Sequence, residues 1–171
     1  MSRPTCCVFI ATSIDGFIAG PGGSLDFLKV VERSGEDYGF AAFFGTIDTL
    51  IVGRKTYDTV LGFDPWPWSE KTVAVVTHRP PEPRHGERFL SGTPAEVLAQ
   101  LPGCKRAWVD GGSMIQQFLA AGLVDELTLS IIPTVLGAGI PLFGPSPTRR
   151  FELVRSTPFP SGLVQSTYRP I

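Results

Sequence analysis

The residues of this 171-residue chain best suited to chemistry sit in three short glycine-bearing or basic turns, each directly after an apolar run. The first is Gly53-Arg54-Lys55-Thr56, after Thr49–Val52. Glycine lets the backbone turn sharply, and a helix starting there offers unpaired N–H groups to an anion. Basic side chains at a helix start oppose the helix dipole, so Arg54 and Lys55 point to an anion that offsets them. Thr56 adds a hydroxyl donor at the same place. A plain turn with solvated basic side chains is the competing reading. The second segment is Thr77-His78-Arg79, after Thr72–Val76; a guanidinium there can grip a phosphate in a forked geometry or stack on a flat base. The third is Asp110-Gly111-Gly112-Ser113, after Arg106–Val109, where a glycine pair ahead of a helix permits close approach of a pyrophosphate. Together the three predict an extended, multiply phosphorylated ligand. A dinucleotide fits that description.

Other chemistries lack their residues. There is no G-x-G-x-x-G in a strand–helix setting, no phosphate-binding G-x-x-x-x-G-K-[ST], and no G-x-S-x-G nucleophile turn. Cys6, Cys7 and Cys104 with His78 and His85 do not have metal-ligand spacing, so no metal site is expected and the thiols read as buried. A net charge of -1 without a basic stripe argues against a dedicated nucleic-acid or acidic-membrane partner. No stretch approaches the ~20 apolar residues of a membrane span. The expectation is a cytoplasmic protein.

The elements that must position these turns alternate in kind. With 43% hydrophobic and 18% charged residues, the chain reads as one globular domain over residues 1–171. Strands are expected at Cys6–Thr12, Thr49–Val52, Thr72–Thr77, Arg106–Val109 and Glu126–Ile132. Helices are expected near Leu25 behind a Ser24 cap, over Glu36–Phe44, over Thr56–Val60, over Ala95–Leu101 behind Thr93-Pro94, and over Ser113–Ala121. Two β-like runs between Phe151 and Tyr168 suggest a closing antiparallel hairpin around Pro158–Gly162. Strand alternating with helix predicts an α/β fold with a mainly parallel sheet and helices on both faces. Ligands of such sheets gather beyond the carboxyl ends of the strands, where all three turns fall.

Five segments then appear in a telling order: Ser13-Ile14-Asp15-Gly16-Phe17-Ile18-Ala19, Val52-Gly53-Arg54-Lys55-Thr56-Tyr57, Val109-Asp110-Gly111-Gly112-Ser113, Leu123-Val124-Asp125-Glu126-Leu127 and Ile132-Pro133-Thr134-Val135-Leu136-Gly137. With them the chain resembles the dihydrofolate-reductase superfamily, and within it the reductase domain of the bifunctional riboflavin-biosynthesis deaminase–reductase. The likeness runs from near residue 8 almost to the end. The deaminase half's zinc-binding pair, H-x-E with C-x-x-C, does not occur, so the chain reads as a stand-alone reductase domain.

The resemblance implies a three-layer dihydrofolate-reductase-like fold, NADPH as cofactor, a homodimer, and a small heterocyclic substrate such as a ribosylaminopyrimidine phosphate. By the same resemblance Ala11 and Ile18 line the nicotinamide end of the pocket. Gly53, Arg54 and Thr56, with Lys55 beside them, hold cofactor phosphates. Thr77 and Arg79 read the adenosine ribose and its 2′-phosphate, and Gly111, Gly112 and Ser113 hold the pyrophosphate. Basic residues around a 2′-phosphate favour NADPH over NADH, because an acidic residue is expected on a free 2′-hydroxyl.

Hydride chemistry also needs a proton source. Asp15 and Asp37 are the expected catalytic residues, with Asp26 a third candidate. The resemblance places the Asp15 segment over the nicotinamide; a turn aspartate before Gly16 is the alternative. Asp37 stands 16 positions before Gly53, close to the spacing of the substrate carboxylate in the dihydrofolate reductases that the chain resembles, although an exposed acid at a helix start is the stronger reading. Trp66 and Trp68 offer flat faces for a heterocycle, and Lys29, Arg33 or the Gly137–Gly139 backbone offers an anchor for a substrate phosphate. Two other readings stay open: dihydrofolate reduction, and a non-catalytic NADP-binding module.

Overall fold

The β-branched and aromatic runs become strands wherever both of their faces find cover. In the computed structural model, which describes residues 3–171, the order is β1 (Thr5–Ser13), β2 (Phe17–Ala19), α1 (Phe40–Thr46), β3 (Thr49–Gly53), α2 (Arg54–Val60), β4 (Thr72–Val76), β5 (Arg88–Leu90) and α3 (Pro94–Ala99). It continues with β6 (Arg106–Asp110), α4 (Gly112–Ala120), β7 (Glu126–Ile132), β8 (Ile140–Pro141), β9 (Phe151–Pro158) and β10 (Val164–Pro170). Eight strands form one sheet in the order β5-β4-β3-β6-β1-β7-β10-β9, and β2 pairs with β8 in a second, two-stranded sheet. From β5 to β7 all pairings are parallel, and β10 runs antiparallel between β7 and β9. This is the expected α/β architecture with its closing hairpin.

Alternation along the strands decides which helix lies on which face. On one face Cys6, Val8, Ile51, Ala74 and Val109 pack with residues of α3 and α4, among them Val97, Ile115 and Phe118. On the other, Cys7, Leu50, Val52, Val75 and Trp108 pack with Tyr57 and Val60 of α2 and with Phe43 and Phe44 of α1. The connections leaving β3 and β6 therefore depart to opposite faces, which opens a crevice between the carboxyl ends of these neighbouring strands. Cys6 and Cys7 point to opposite faces and are fully buried, and burial pushes each thiol up to about 12. They are core residues, as expected of free cysteine in an apolar run.

Local chemistry explains where the elements stop. The Thr93 hydroxyl accepts from the Glu96 N–H and the Glu96 carboxylate from the Thr93 N–H, a complete capping box ahead of Pro94. The helix expected over Glu36–Phe44 begins only at Phe40, because Gly35, Tyr38 and Gly39 take positive φ of 77, 54 and 79°, and left-handed residues cannot continue a right-handed helix. The helix expected near Leu25 is a 3-10 turn, Asp26–Val31, whose Asp26 N–H reaches the Ser24 hydroxyl at 3.3 Å. Strands β2, β5 and β8 were outside the sequence expectation; each has two or three residues, too few for a pattern to register. Among the described residues no helix is long and apolar enough to cross a membrane.

Candidate functional site

The structure brings the three turns together at the crevice. Gly53 caps α2 and Gly111 caps α4 without any side-chain hydrogen bond, and neither helix has an acidic residue in its first turn. α3, on a remote edge, has both. The two helices flanking the crevice thus keep their N–H groups and positive dipole ends open to an external anion. Gly111 adopts φ +92°, and a Cβ there would lie 2.5 Å from the Thr56 hydroxyl and 4.0 Å from the Gly53 nitrogen. Only glycine lets the first and third turns approach so closely. The second turn joins them: Arg54 Nη1 donates to the Arg79 carbonyl at 2.7 Å, and the Arg79 N–H donates to the Thr77 hydroxyl at 3.2 Å. Arg54 Nε pairs with Asp58, 2.8 Å away and one helical turn on, leaving Nη2 without a partner among the described residues.

Ile18 approaches from the β2 side. A Cβ on Gly112 would stand 3.1 Å from Ile18 Cδ1 and 3.3 Å from Ile140 Cγ2, so the β2–β8 ribbon lies against the start of α4. Ala11 is on β1, in register with Ser130 of β7. Lys55 and Ser113 are exposed beside their glycines. The Gly53, Thr77–Arg79 and Gly111 turns thus meet, with Ile18 against the start of α4, while Ala11 packs with Phe27, Val31, Ile132 and Leu163. Two hollows lie elsewhere, one of about 480 Å3 within the Val31–Tyr38 segment and one of about 360 Å3 beside Leu119 and Tyr168.

The expected proton sources come out differently. The Asp15 carboxylate accepts from the Ser13 hydroxyl at 2.5 Å and from the Gly137 and Leu136 N–H groups at 2.7 and 3.1 Å, which holds it down to about 2. An acid so placed is ionised at neutral pH and has no proton to give. It is a clamp between the β1–β2 turn and the segment before β8. Asp37 accepts from the Ala41 and Gly39 N–H groups, both at 2.9 Å, and the same bonds hold its carboxyl below the usual carboxylate range. That is a helix-capping role. Asp26 is exposed and paired with Lys29 at 2.6 Å, which also occupies one expected phosphate anchor. Trp68 is a core residue, and Trp66 stacks face to face on His85 at 4.3 Å.

Sequence reasoning passed over Asp110 at the end of β6. Two residues on from Trp108, its side chain shares that residue's face, the α1 face of the sheet, at the strand's crevice end. The residue is half-buried, and enclosure of the carboxyl pushes it up to about 6, with the Gly111 N–H pulling weakly the other way. No cation stands within ion-pairing distance of it among the described residues. The signal was present as an acid closing an apolar strand, in the segment whose glycines drew the attention. The triplet His85-Gly86-Glu87 has H-x-E spacing, but without a C-x-x-C partner and with its carboxylate bound by backbone N–H groups it is no zinc half-site.

With the geometry in place, comparisons give the family. The model of the RibD C-terminal domain matches residues 4–165. The chain belongs to that family. Among curated proteins this RibD C-terminal-type domain is 37% identical to the uncharacterized protein YwjB of Bacillus subtilis (strain 168), over 84% of each chain. Among solved structures it is similar to a "Putative riboflavin biosynthesis protein" from Shewanella sp. PV-4, with a TM-score of 0.90 and 37% identity over 98% of this chain and 99% of that one. Dihydrofolate reductase from Enterococcus faecalis, complexed with NADP(H) and RAB-propyl, superposes with a TM-score of 0.69 at 19% identity, over 97% of this chain and 96% of that one. The fold of this RibD C-terminal-type domain is thus the dihydrofolate-reductase fold, as the sequence resemblance implied.

Proposed function

We propose that this RibD C-terminal-type domain is an NADPH-dependent reductase of a pyrimidine-like heterocycle, similar to 5-amino-6-(5-phosphoribosylamino)uracil reductase of riboflavin biosynthesis. The observation that carries the reading is the convergence of two uncapped helix starts, α2 and α4, with the Arg54–Arg79 turn contact on one crevice. The cradle suits a nicotinamide dinucleotide phosphate. Gly111, Gly112 and Ser113 would hold its pyrophosphate, Gly53, Arg54, Lys55 and Thr56 its adenosine-side phosphates, and Thr77 with Arg79 its 2′-phosphate. Ala11 and Ile18 would border the nicotinamide. When bound, the cofactor supplies a hydride from nicotinamide C4.

The chain's own task is then to hold the electrophile, keep water away and deliver a proton. An open-chain ribosyl imine takes the hydride at carbon and the proton at nitrogen. Asp110 is the candidate donor, since a carboxyl near 6 keeps a usable protonated fraction at neutral pH. Asp15 and Asp37 act as positioning groups, Asp15 fixing the β1–β2 turn and Asp37 the start of α1. The E. faecalis dihydrofolate reductase and its NADP(H) support the cofactor assignment through a shared fold.

Calorimetric titration tests the reading. NADPH is expected to bind at least about tenfold tighter than NADH, and Arg54→Ala to raise the NADPH dissociation constant by about tenfold, the loss of one charge-assisted phosphate contact. Equal affinities, or an unchanged constant in the variant, would remove the phosphate assignment. Oxidation of NADPH with a ribosylaminopyrimidine but not with dihydrofolate places the substrate; the reverse pattern makes the protein a dihydrofolate reductase.

A homodimer belongs to the same reading. β9 is an edge strand of eight residues whose Leu153 and Val154 are 57% and 45% exposed, an arrangement that monomers normally avoid. Sedimentation at micromolar concentration is expected to give twice the 18.5 kDa chain mass, and Leu153→Lys to shift the boundary toward the single chain. A single-chain mass for the unsubstituted protein overturns the dimer.

A further inference from the structure

One carboxylate is buried where the crevice has no evident use for it. Glu87, just before β5, is 6% exposed, yet no lysine, arginine or histidine pairs with it among the described residues. Burying an unpaired carboxylate is costly unless hydrogen bonds replace its water. Three donors do so here. The Tyr57 hydroxyl and the Arg84 N–H, the latter at 2.8 Å, share Oε1, and the His85 N–H reaches Oε2 at 2.6 Å. Burial pushes the carboxyl up, and the Tyr57 hydroxyl with the two backbone N–H groups outweighs it, bringing Glu87 to about 2.

The partners identify what this carboxylate fastens. Tyr57 is fully buried on α2, the residue after Thr56. Arg84 and His85 belong to the loop between β4 and β5, which begins with Thr77 and Arg79. Arg54 already ties that loop at its beginning, through the Arg79 carbonyl. Glu87 ties it at its end, and the His85 ring lies flat on Trp66, whose edge meets Tyr57 at 6.3 Å between centroids. A loop with three prolines and no regular element between Thr77 and Glu87 is thereby fixed to the first turn of the site.

We propose that Glu87 and Tyr57 are positioning residues that set the Thr77–Arg79 turn against the Gly53–Thr56 turn and so determine the preference for a 2′-phosphorylated cofactor over its 2′-hydroxyl counterpart. The inference rests on the reading of those turns as the adenosine-phosphate site. Its physical core is a count of acceptors. A carboxylate accepts at both oxygens, whereas glutamine has one accepting oxygen and an NH2 group. With its oxygen toward Tyr57 and Arg84, a glutamine sets NH2 against the His85 N–H; flipped, it sets NH2 against the Arg84 N–H. Either way a backbone donor loses its partner and the loop end is released.

The test is calorimetric titration of the full chain with NADPH and with NADH, for the unsubstituted protein, Glu87→Gln and Tyr57→Phe. For Glu87→Gln the NADPH constant is expected to rise about tenfold while the NADH constant moves less than about twofold, so the preference shrinks. Tyr57→Phe keeps both backbone bonds to Glu87 and is expected to shrink the preference about threefold. Turnover at saturating NADPH should change by less than about twofold in both, since the reacting end is untouched. Should Glu87→Gln fail to fold, Tyr57→Phe alone decides, because its ring keeps the packing. An unchanged preference, or equal weakening of both nucleotides as general loosening would give, overturns the proposal while the cofactor reading stands. If the unsubstituted protein binds neither nucleotide, the cofactor reading falls and the proposal with it.

Discussion

Asp110→Asn is expected to leave a folded, NADPH-binding protein whose turnover is about a hundredfold lower or worse, the usual loss when a proton donor is removed. The carboxyl is raised to about 6 by enclosure, and a donor works only in its protonated form. The rate constant for reduction should hold below pH 6 and fall about tenfold per unit above it in the parent protein. The variant should lose that limb of the profile. Asn keeps the shape and the Gly111 contact but carries no acidic proton. A pre-steady-state comparison of NADPH oxidation across pH 5–9 reads both effects, and a variant with the parent profile would exclude Asp110 as the donor.

Stability should move the other way. The folded carboxyl titrates above its ordinary 3.8, so the ionised form is disfavoured in the native state. The cost is absent below pH 4, grows as pH rises to 6, and is constant beyond. Removing it should stabilise Asp110→Asn by roughly 1–2 kcal/mol at pH 7, a part of the full shift because the site relaxes around a buried charge. A gain in melting temperature together with a loss of turnover is the signature of a site kept at the expense of the fold.

Gly139→Ala is expected to give the largest structural loss. Gly139 sits at φ +142°, and a methyl group there would overlap the Ala19 carbonyl oxygen and lie 2.9 Å from Gly20 Cα. Both obstacles are backbone, so no side chain can swing aside. Strain and overlap together should cost about 3 kcal/mol or more, lowering the melting temperature by roughly 6–12 °C for a chain of this length. The damage should also reach the ligand, because the β2–β8 ribbon that Gly139 introduces packs on Gly112 at the start of α4. Differential scanning calorimetry with and without NADPH separates the two losses. A variant with parental melting and affinity would mean that the ribbon adjusts freely and positions nothing.

These residues differ in how far the sequence announced them. The parallel strands were legible because each is an apolar run bounded by a polar or glycine-bearing turn, and the Gly53, Thr77 and Gly111 turns were legible because such turns in α/β sheets mark the ligand side. What the sequence could not convey was which polar atoms are already engaged. Asp15 and Asp110 are both aspartates beside a glycine at the end of a strand. One collects the Ser13 hydroxyl two positions away and two N–H groups from residues more than a hundred positions away, and the other is left enclosed with the Gly111 N–H alone. Spacing along the chain cannot rank two such acids, since their proton affinities are set by which donors and how much burial the fold brings to each carboxyl. The same holds for Glu87, which reads as one charge in a proline-rich polar stretch until Tyr57, 30 positions earlier, meets it.

The place of β10 in the sheet has a consequence for how the protein is made. β10 follows β9 in the chain, yet it lies between β7 and β9 and is the sole sheet partner of β9 among the described residues. During vectorial synthesis the strands and helices around the crevice emerge early and can dock in order, while β7 waits with an open edge for a segment still to be translated. Because β9 leaves the ribosome before β10 and has nothing to pair with, the nascent chain carries unmatched strand edges until β10 follows. Chaperone engagement in that interval should therefore concentrate on Leu127–Ile132 and Phe151–Pro158, after the ligand crevice has already assembled.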